Sequence, residues 1–97
     1  MDFKDIEKLI KNTAVNKPIT FWGCALAGEV GESCNLIKKF DRDGLYDEDD
    51  NNIIDLLALE LADVFIYDVL TARVFDIDLE DAILRKIKIL KEKYPNY

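Results

Sequence analysis

The spacing of apolar residues along the chain predicts four helices and no strand. Apolar residues recur three or four positions apart within residues 2–13, 20–40, 53–74 and 78–94, which is the periodicity of a helix with one buried face. A strand would alternate apolar and polar residues, and no segment does so clearly. The pattern therefore predicts an all-α fold resembling a four-helix bundle, with two long central helices.

Turn and capping residues predict where these helices begin and end. Pro18 separates the first helix from the second, and Thr20 is a suitable N-cap for the second. Asp78 is a suitable N-cap for the fourth helix, which we expect to end near Tyr94. The one long loop, residues 41–52, is rich in acids, but they do not have the spacing of an EF-hand calcium loop.

The third predicted helix, residues 53–74, is apolar nearly all round. It contains no glycine or proline, which predicts a helix in a buried position. From Leu56 to Tyr67 its only charged residues are Glu60 and Asp63. The whole segment nevertheless carries too many charges for a membrane span, so we expect no membrane partner.

Length and charge narrow the class of protein. Ninety-seven residues correspond to one domain, which we assign to residues 1–97. A chain this short buries a small fraction of its surface, so we expect self-association.

The net charge of −7 argues against a nucleic-acid partner. An acidic protein that handles phosphate needs a metal ion between its acids and that ligand.

The two cysteines, Cys24 and Cys34, fall in the second predicted helix. Ten residues of helix rise, about 15 Å, are too far for a disulfide. We therefore expect free, buried thiols in a reducing compartment. The first residues of the chain lack the apolar run of a signal peptide. Together these features predict a cytoplasmic protein.

Two pairs of acids stand out in the central helices. Glu29 and Glu32 are three residues apart, so their side chains project from one helix face, and Glu60 and Asp63 repeat this spacing. Antiparallel packing of the two helices would bring four carboxylates together, and they would repel one another unless cations lay between them. Two interpretations remain open here: a metal site, and acids that face solvent.

The ligand types favour a hard ion if a metal is bound. Oxygen ligands suit Mg²⁺, or Mn²⁺ as a substitute. The chain has no histidine, so the Glu and Glu-x-x-His ligands of di-iron bundles are missing. Two cysteines ten residues apart, without histidine, do not provide the ligands of a typical zinc site.

E-V-G-E at 29–32 and E-L-A-D at 60–63 resemble the E-x-x-E…E-x-x-D signature of the MazG-like all-α nucleoside triphosphate pyrophosphohydrolases. The flanking segments resemble the family too, and so does D-I-D-L-E-D-A-I-L-R-K at 76–86. The resemblance covers roughly residues 20–95. It implies a MazG-type fold whose two central helices carry the acidic motifs.

The resemblance also implies roles for the acids. Glu29, Glu32, Glu60 and Asp63 would be the Mg²⁺ ligands. One carboxylate of this set can hold the attacking water instead. We assign that role to Glu32, with Glu29 as the second catalytic candidate.

Several further residues resemble substrate-binding positions of the family. Lys86 matches a lysine near the phosphates, although Lys88 stands where an asparagine often follows. Trp22 lies two turns before Glu29, where it either stacks on a base or serves as a core or interface aromatic. The substrate-binding candidates taken together are Lys86, Lys39, Lys38, Asn35 and Trp22.

The implied activity is Mg²⁺-dependent hydrolysis of a nucleoside triphosphate between its α and β phosphates. The products would be a monophosphate and pyrophosphate, and the role would be housecleaning of the nucleotide pool. The family's usual assembly is a homodimer or a tetramer of two dimers. The alternative is a non-catalytic helical module that binds nucleotide or protein and retains a relic metal site.

Two glycines, Gly28 and Gly31, each precede a proposed ligand in the second helix. Glycine inside a helix costs roughly 0.5–1 kcal/mol relative to alanine. We expect the missing side chains to allow a neighbouring helix or the nucleotide to approach closely.

Overall fold

The computed structural model describes residues 1–12 and 16–97, and this part of the chain is helical without strands. A single isolated bridge between Tyr46 and Asn52 is its only β-type pairing. The all-α prediction is therefore confirmed. The end of the first predicted segment, at Thr13, lies outside the described residues. The helices are α1 (Phe3–Lys11), α2 (Ile19–Asp43), α3 (Ile53–Val74) and α4 (Leu79–Lys93).

Asn16–Asp68 form one compact unit, which contains α2 and most of α3. Trp22 is its largest buried side chain, at 1% exposure. The indole lies edge-on to Phe21, with ring centroids 5.2 Å apart, and its centroid is 6.2 Å from that of Tyr67. Ile53, at the start of α3, is also fully buried. Aromatic contacts thus join the first turns of α2 to the middle of α3.

The loop between α2 and α3 is fixed by local hydrogen bonds. Gly44 ends α2 with a φ of 91°, a left-handed conformation that favours glycine. The Asp47 side chain accepts hydrogen bonds from the backbone N–H groups of Asp49 and Asn51, at 2.9 and 2.8 Å. These bonds, with one from the Asn51 amide, hold the pKa of Asp47 below its usual value. Asp47 therefore organises the loop.

A second compact unit contains α1, the end of α3 from Val69, and α4. Val69, Leu70 and Ala72 are buried in it. Glu7 of α1 is also buried, and ion pairs of 3.5 Å join its two oxygens to Lys4 and Lys11. The Arg73 guanidinium donates a hydrogen bond of 2.8 Å to the Lys11 carbonyl, which ties the end of α3 to the end of α1.

The helix ends agree with the sequence at α3 and α4 and differ at α2. Asp78 caps α4, accepting a hydrogen bond from the Asp81 N–H at 3.0 Å. The prediction that Thr20 caps α2 is wrong, because the helix begins one residue earlier, at Ile19. Pro18 occupies the N-cap position, and no side chain accepts a bond there.

The sequence predicted more burial than the structure has. Cys24 and Cys34 are free as expected, but both are exposed, which corrects the prediction of buried thiols. The side of α3 that faces away from α2 is exposed as well, whereas we expected a buried helix. Four of its large apolar residues, Ile54, Leu59, Leu61 and Ile66, are between 36% and 68% exposed. Among the described residues, no helix has the length and apolar character needed to cross a membrane.

Candidate metal centre

Helical spacing on α2 and α3 brings acids from the two helices together within the Asn16–Asp68 unit. One carboxylate oxygen each of Glu29, Glu60 and Asp63 lies within 4.8 Å of the others. Glu29 projects from α2, and the other two acids project from one face of α3. Three of the four predicted ligands therefore meet at one point, and we call these three residues the carboxylate cluster.

Glu32 lies beside the cluster, one helical turn after Glu29. Its side chain shares a hydrogen bond with Glu60, and this contact is the main reason why the pKa of Glu60 is raised to about 7. Burial and the negative charges of Glu32, Asp63 and Glu29 raise this pKa further. The raised pKa means that the Glu60 carboxyl loses its proton near neutral pH.

Glu29, on α2, also has a raised pKa. Burial raises its pKa most, followed by the charges of Glu32 and Asp63. The Oε2 atoms of Glu29 and Glu60 are both buried and accept no hydrogen bond within the described residues. A buried acceptor without a donor is costly. Both atoms are thus left without the partner that a bound cation would provide.

The donor set and its spacing fit a divalent ion. Oxygens bound to one Mg²⁺ at about 2.1 Å lie roughly 3 to 4 Å from one another. The cluster oxygens lie within 4.8 Å of one another, so small side-chain movements would bring them to this separation. A cation would also neutralise the repulsion that raises the pKa of both glutamates. The residues present therefore fit Mg²⁺ or Mn²⁺, and they offer neither nitrogen nor sulfur for a softer ion.

Ser33, Gly28 and Gly31 are residues of α2 next to the two glutamates in the sequence. The buried Ser33 hydroxyl donates a hydrogen bond of 3.2 Å to the Glu29 carbonyl, inside α2. A Cβ atom built on Gly28 or Gly31 would have no heavy atom of the described chain within 4 Å, apart from the helix itself and its chain neighbours. Open space therefore lies beside α2 at both glycines.

The predicted substrate-binding residues lie in different places. Asn35, Lys38 and Lys39 are exposed on α2, and Lys86 is exposed on α4 in the other unit. Trp22 is buried, which agrees with the interpretation of this residue as a core aromatic. The assignment of all five to the substrate stays a prediction.

Lys39 also lines a cavity that the sequence did not indicate. This cavity, of about 450 Å³, lies between the end of α2 and the following loop, and Arg42 and Tyr46 line it as well. Acids surround both cations, and Arg42 makes an ion pair of 2.7 Å with Asp43.

Comparison with known proteins identifies the family. The model of the MazG nucleotide pyrophosphohydrolase domain matches residues 22–97, a range that includes the carboxylate cluster, Glu32 and Lys86. No curated protein and no solved structure matches the chain. The family match extends over most of the sequence and includes both acidic motifs. The chain therefore belongs to the MazG nucleotide pyrophosphohydrolase domain family.

Proposed function

We propose that this chain is a Mg²⁺-dependent enzyme that hydrolyses nucleoside or deoxynucleoside triphosphates to monophosphates and pyrophosphate. The observation that carries the proposal is the meeting of Glu29, Glu60 and Asp63 within 4.8 Å in a chain of the MazG family. We also propose that residues 1–97 act as one domain in the cytoplasm, in housecleaning of the nucleotide pool.

The carboxylate cluster would hold the metal. Glu29, Glu60 and Asp63 would bind Mg²⁺, with Mn²⁺ as a substitute, and Glu32 can complete the ligand set. When bound, Mg²⁺ neutralises negative charge on the triphosphate and on the pyrophosphate leaving group. The exposed lysines of α2, Lys38 and Lys39, would add positive charge along the phosphates, and Lys86 remains a candidate for a phosphate contact.

Glu32 is the residue that we assign to the attacking water. It would hold the water and accept its proton while the water oxygen bonds to the α-phosphorus. The bond from the α-phosphorus to the bridging oxygen then breaks, and that oxygen leaves with pyrophosphate. Glu29, on the same helix face, would orient the water or the metal. The side-chain contact between Glu32 and Glu60 supports this assignment, because it places Glu32 beside the proposed metal ligands.

The resemblance to the family also leads us to propose a homodimer, or a tetramer of two dimers, as the working assembly. A nucleoside triphosphate is the proposed small-molecule partner. Asn35 and Trp22 remain candidates for contacts with the nucleoside, although the indole of Trp22 would have to become exposed first.

Product analysis in labelled water tests the activity. The purified protein is incubated with a panel of ribonucleoside and deoxyribonucleoside triphosphates and Mg²⁺ in H₂¹⁸O. We expect monophosphate and pyrophosphate, with the label in the monophosphate because water attacks the α-phosphorus. Diphosphate with orthophosphate, label in pyrophosphate, or no turnover of any nucleotide would contradict the proposal. Nucleotide binding without turnover would favour the non-catalytic module.

Matched variants link the activity to the site. We expect Glu32→Gln and Glu60→Gln each to lower kcat/KM at least about 100-fold, since each removes a carboxylate from the centre. Glu92→Gln, which removes the same charge from an exposed position on α4, is the control and should keep full activity. Equal losses in all three variants would show that net charge, and not the centre, controls the rate.

A further inference from the structure

Ser33 is a polar residue that lies buried beside the carboxylate cluster. Its side chain belongs to a residue that is only 4% exposed, and no other residue of the Asn16–Asp68 unit with a hydroxyl, amide or charged group is buried in this way. Ser33 follows Glu29 by four residues, so the two side chains project from the same side of α2, about 40° apart. Ser33 is therefore the buried residue of α2 next to a proposed metal ligand.

Two contacts fix the register of α2 against α3. The ring centroids of Trp22 and Tyr67 lie 6.2 Å apart, and the cluster oxygens of Glu29 and Glu60 lie within 4.8 Å of each other. The second contact comes seven residues after the first on α2 and seven residues before it on α3, so the two helices run antiparallel in step. Position 33, four residues after Glu29, is therefore at the level of α3 that lies four residues before Glu60.

A residue at this level faces a hole in the surface of α3. Where two helices pack side by side, one side chain inserts between four residues of its neighbour, spaced at i, i+3, i+4 and i+7. The register places four such residues opposite Ser33: Ile53, Leu56, Leu57 and Glu60. Three of them are large and apolar, and the fourth is a proposed metal ligand. The volume of residue 33 therefore affects where Glu60 lies relative to α2.

The small size of the serine side chain favours a close approach of the two helices. The separation of packed helices, about 8–10 Å between their axes, depends on the side chains at the contact. A leucine at position 33 would bury more apolar surface than serine does, so serine is not the residue that stability alone would favour. A close approach is what the carboxylate cluster requires, because its oxygens come from different helices.

The hydroxyl group of Ser33 is satisfied inside its own helix. It donates a hydrogen bond of 3.2 Å to the main-chain carbonyl of Glu29. The Oε2 atoms of Glu29 and Glu60 have no donor within the described residues, although this hydroxyl lies only one turn away from Glu29. Because the buried hydroxyl already has a partner, its burial costs little. It also leaves both carboxylates available to a cation.

We propose that Ser33 is a positioning residue of the metal centre. Its small side chain keeps α2 and α3 at the separation that brings the oxygens of Glu29, Glu60 and Asp63 to one cation. Ser33 itself contacts neither the metal nor the substrate. This role rests on the metal centre of the proposed function, so its test measures metal affinity and not turnover.

Binding of Mn²⁺ to the full chain, followed by electron paramagnetic resonance and by titration calorimetry, tests this role. Ser33→Ala is at least as small, so we expect it to bind Mn²⁺ within about threefold of the unaltered protein. Ser33→Leu should raise the dissociation constant at least about tenfold, because the larger side chain separates the helices. Cys34→Leu is the matched control: Cys34 is exposed on α2, so leucine at that position should leave the affinity unchanged.

An exchange of volumes tests the packing itself. In the double variants S33L/L56A and S33L/L57A, a smaller residue on α3 makes room for the introduced leucine. At least one of them should bind Mn²⁺ more tightly than S33L does. Ser33→Val adds less volume and should fall between S33A and S33L, which keeps the test valid if S33L does not fold. Circular dichroism in EDTA checks folding, because a purely structural role would lower the midpoint of unfolding without changing the metal affinity of the folded protein.

The outcomes separate this role from the proposed function. Unchanged Mn²⁺ affinity in the folded S33L and S33V variants, or recovery in neither double variant, would overturn the positioning role alone. A loss in S33A as large as that in S33L would overturn it too, since the hydroxyl and not the volume would then be required. If the unaltered protein binds no Mn²⁺, the metal centre and this role are both wrong. Size-dependent Mn²⁺ binding without nucleotide hydrolysis would support the role and contradict only the proposed activity.

Discussion

Glu60 shows how the environment of a single residue favours the proposed metal site. Its pKa is raised to about 7 by its hydrogen-bond contact with Glu32, by burial, and by three neighbouring negative charges. Its Oε2 atom is buried without a hydrogen-bond partner in the described part of the chain. Both conditions disfavour the charged form in the metal-free protein, and a bound cation would relieve both.

This shift predicts how stability depends on pH in the metal-free protein. The pKa of Glu60 is raised in the folded state from an ordinary value of 4.5, so its contribution to stability is complete below pH 4.5 and is lost as the pH rises through about 7. In EDTA, the midpoint of thermal unfolding should therefore fall between pH 5 and pH 8. Circular dichroism at a series of pH values measures it.

The variant Glu60→Gln is the control for this pH dependence, because its amide does not titrate. Its midpoint should fall less over the same range, and saturating Mg²⁺ should raise the midpoint of the unaltered protein at pH 8 but not that of E60Q. The acids with lowered pKa values, Asp43, Asp47 and Asp78, affect stability only near and below 3.8. A midpoint that stays constant or rises between pH 5 and pH 8 in EDTA would contradict the assignment.

At the scale of elements, α2 carries both buried residues that stabilise the fold and a residue of the carboxylate cluster. Its buried side carries Trp22 and Ser33, and Glu29 on the same side reaches the carboxylate cluster. Glycines at 28 and 31 lower the helix propensity of this segment and leave open space beside it. A helix that served stability alone would have alanine at these positions.

The glycines give a prediction that separates stability from function. Gly31→Ala should raise the free energy of unfolding by about 0.5–1 kcal/mol, because the new methyl group meets no neighbour and alanine favours the helix. If the nucleotide or a partner subunit uses this space, kcat/KM should fall at least about tenfold. Denaturant unfolding and steady-state kinetics provide the two measurements.

Gly23→Ala is the matched control, since its added methyl group also meets open space in α2. It should stabilise the protein to a similar degree and keep full activity. Full activity in G31A would show that the space beside Gly31 is not used.

The start of α4 depends on Asp78. The Asp78 carboxylate accepts the hydrogen bond from the Asp81 N–H and makes an ion pair of 3.4 Å with Lys4, and these contacts lower its pKa. Asp78→Ala should lower the midpoint of thermal unfolding by about 4–8 °C, because the first turn loses its cap. Differential scanning calorimetry checks this value. Asp78→Asn keeps a capping oxygen and should lose much less; equal losses would point to the ion pair rather than the cap.

For the whole molecule, the uncovered apolar surface is the main feature. A chain that exposes leucines and isoleucines along α3 gains stability when a second copy covers them. Unfolding of such an assembly releases separate chains, so its apparent stability depends on protein concentration. The proposed self-association would therefore link assembly to folding.

The midpoint of thermal unfolding should accordingly rise with protein concentration. Over a range from about 1 to 100 μM, we expect an increase of several degrees if the chain self-associates as proposed. Calorimetry or fluorescence melting at each concentration measures it. The same midpoint at all concentrations would contradict the proposed self-association.

The elements could be predicted from the sequence more accurately than their environments. α3 extends over the predicted residues, and Asp78 caps α4 as expected, since propensity and capping depend on neighbouring residues. The start of α2 was wrong because Pro18 can precede a helix without a side-chain cap. The burial predicted for α3 was wrong on one side, because apolar character does not show which side another helix covers.

The sequence by itself determined the helices and placed two acids on one face of each central helix, because helical periodicity is a local property. It also provided the resemblance that the family match confirms. Only the tertiary structure decided that Glu29 meets Glu60 and Asp63, while Glu32 contacts Glu60 beside them. The structure likewise decided that Trp22 is buried and that Leu59 and Leu61 of α3 are exposed. Burial, pKa values and metal geometry depend on distances between residues far apart in the chain, and packing alone sets those distances.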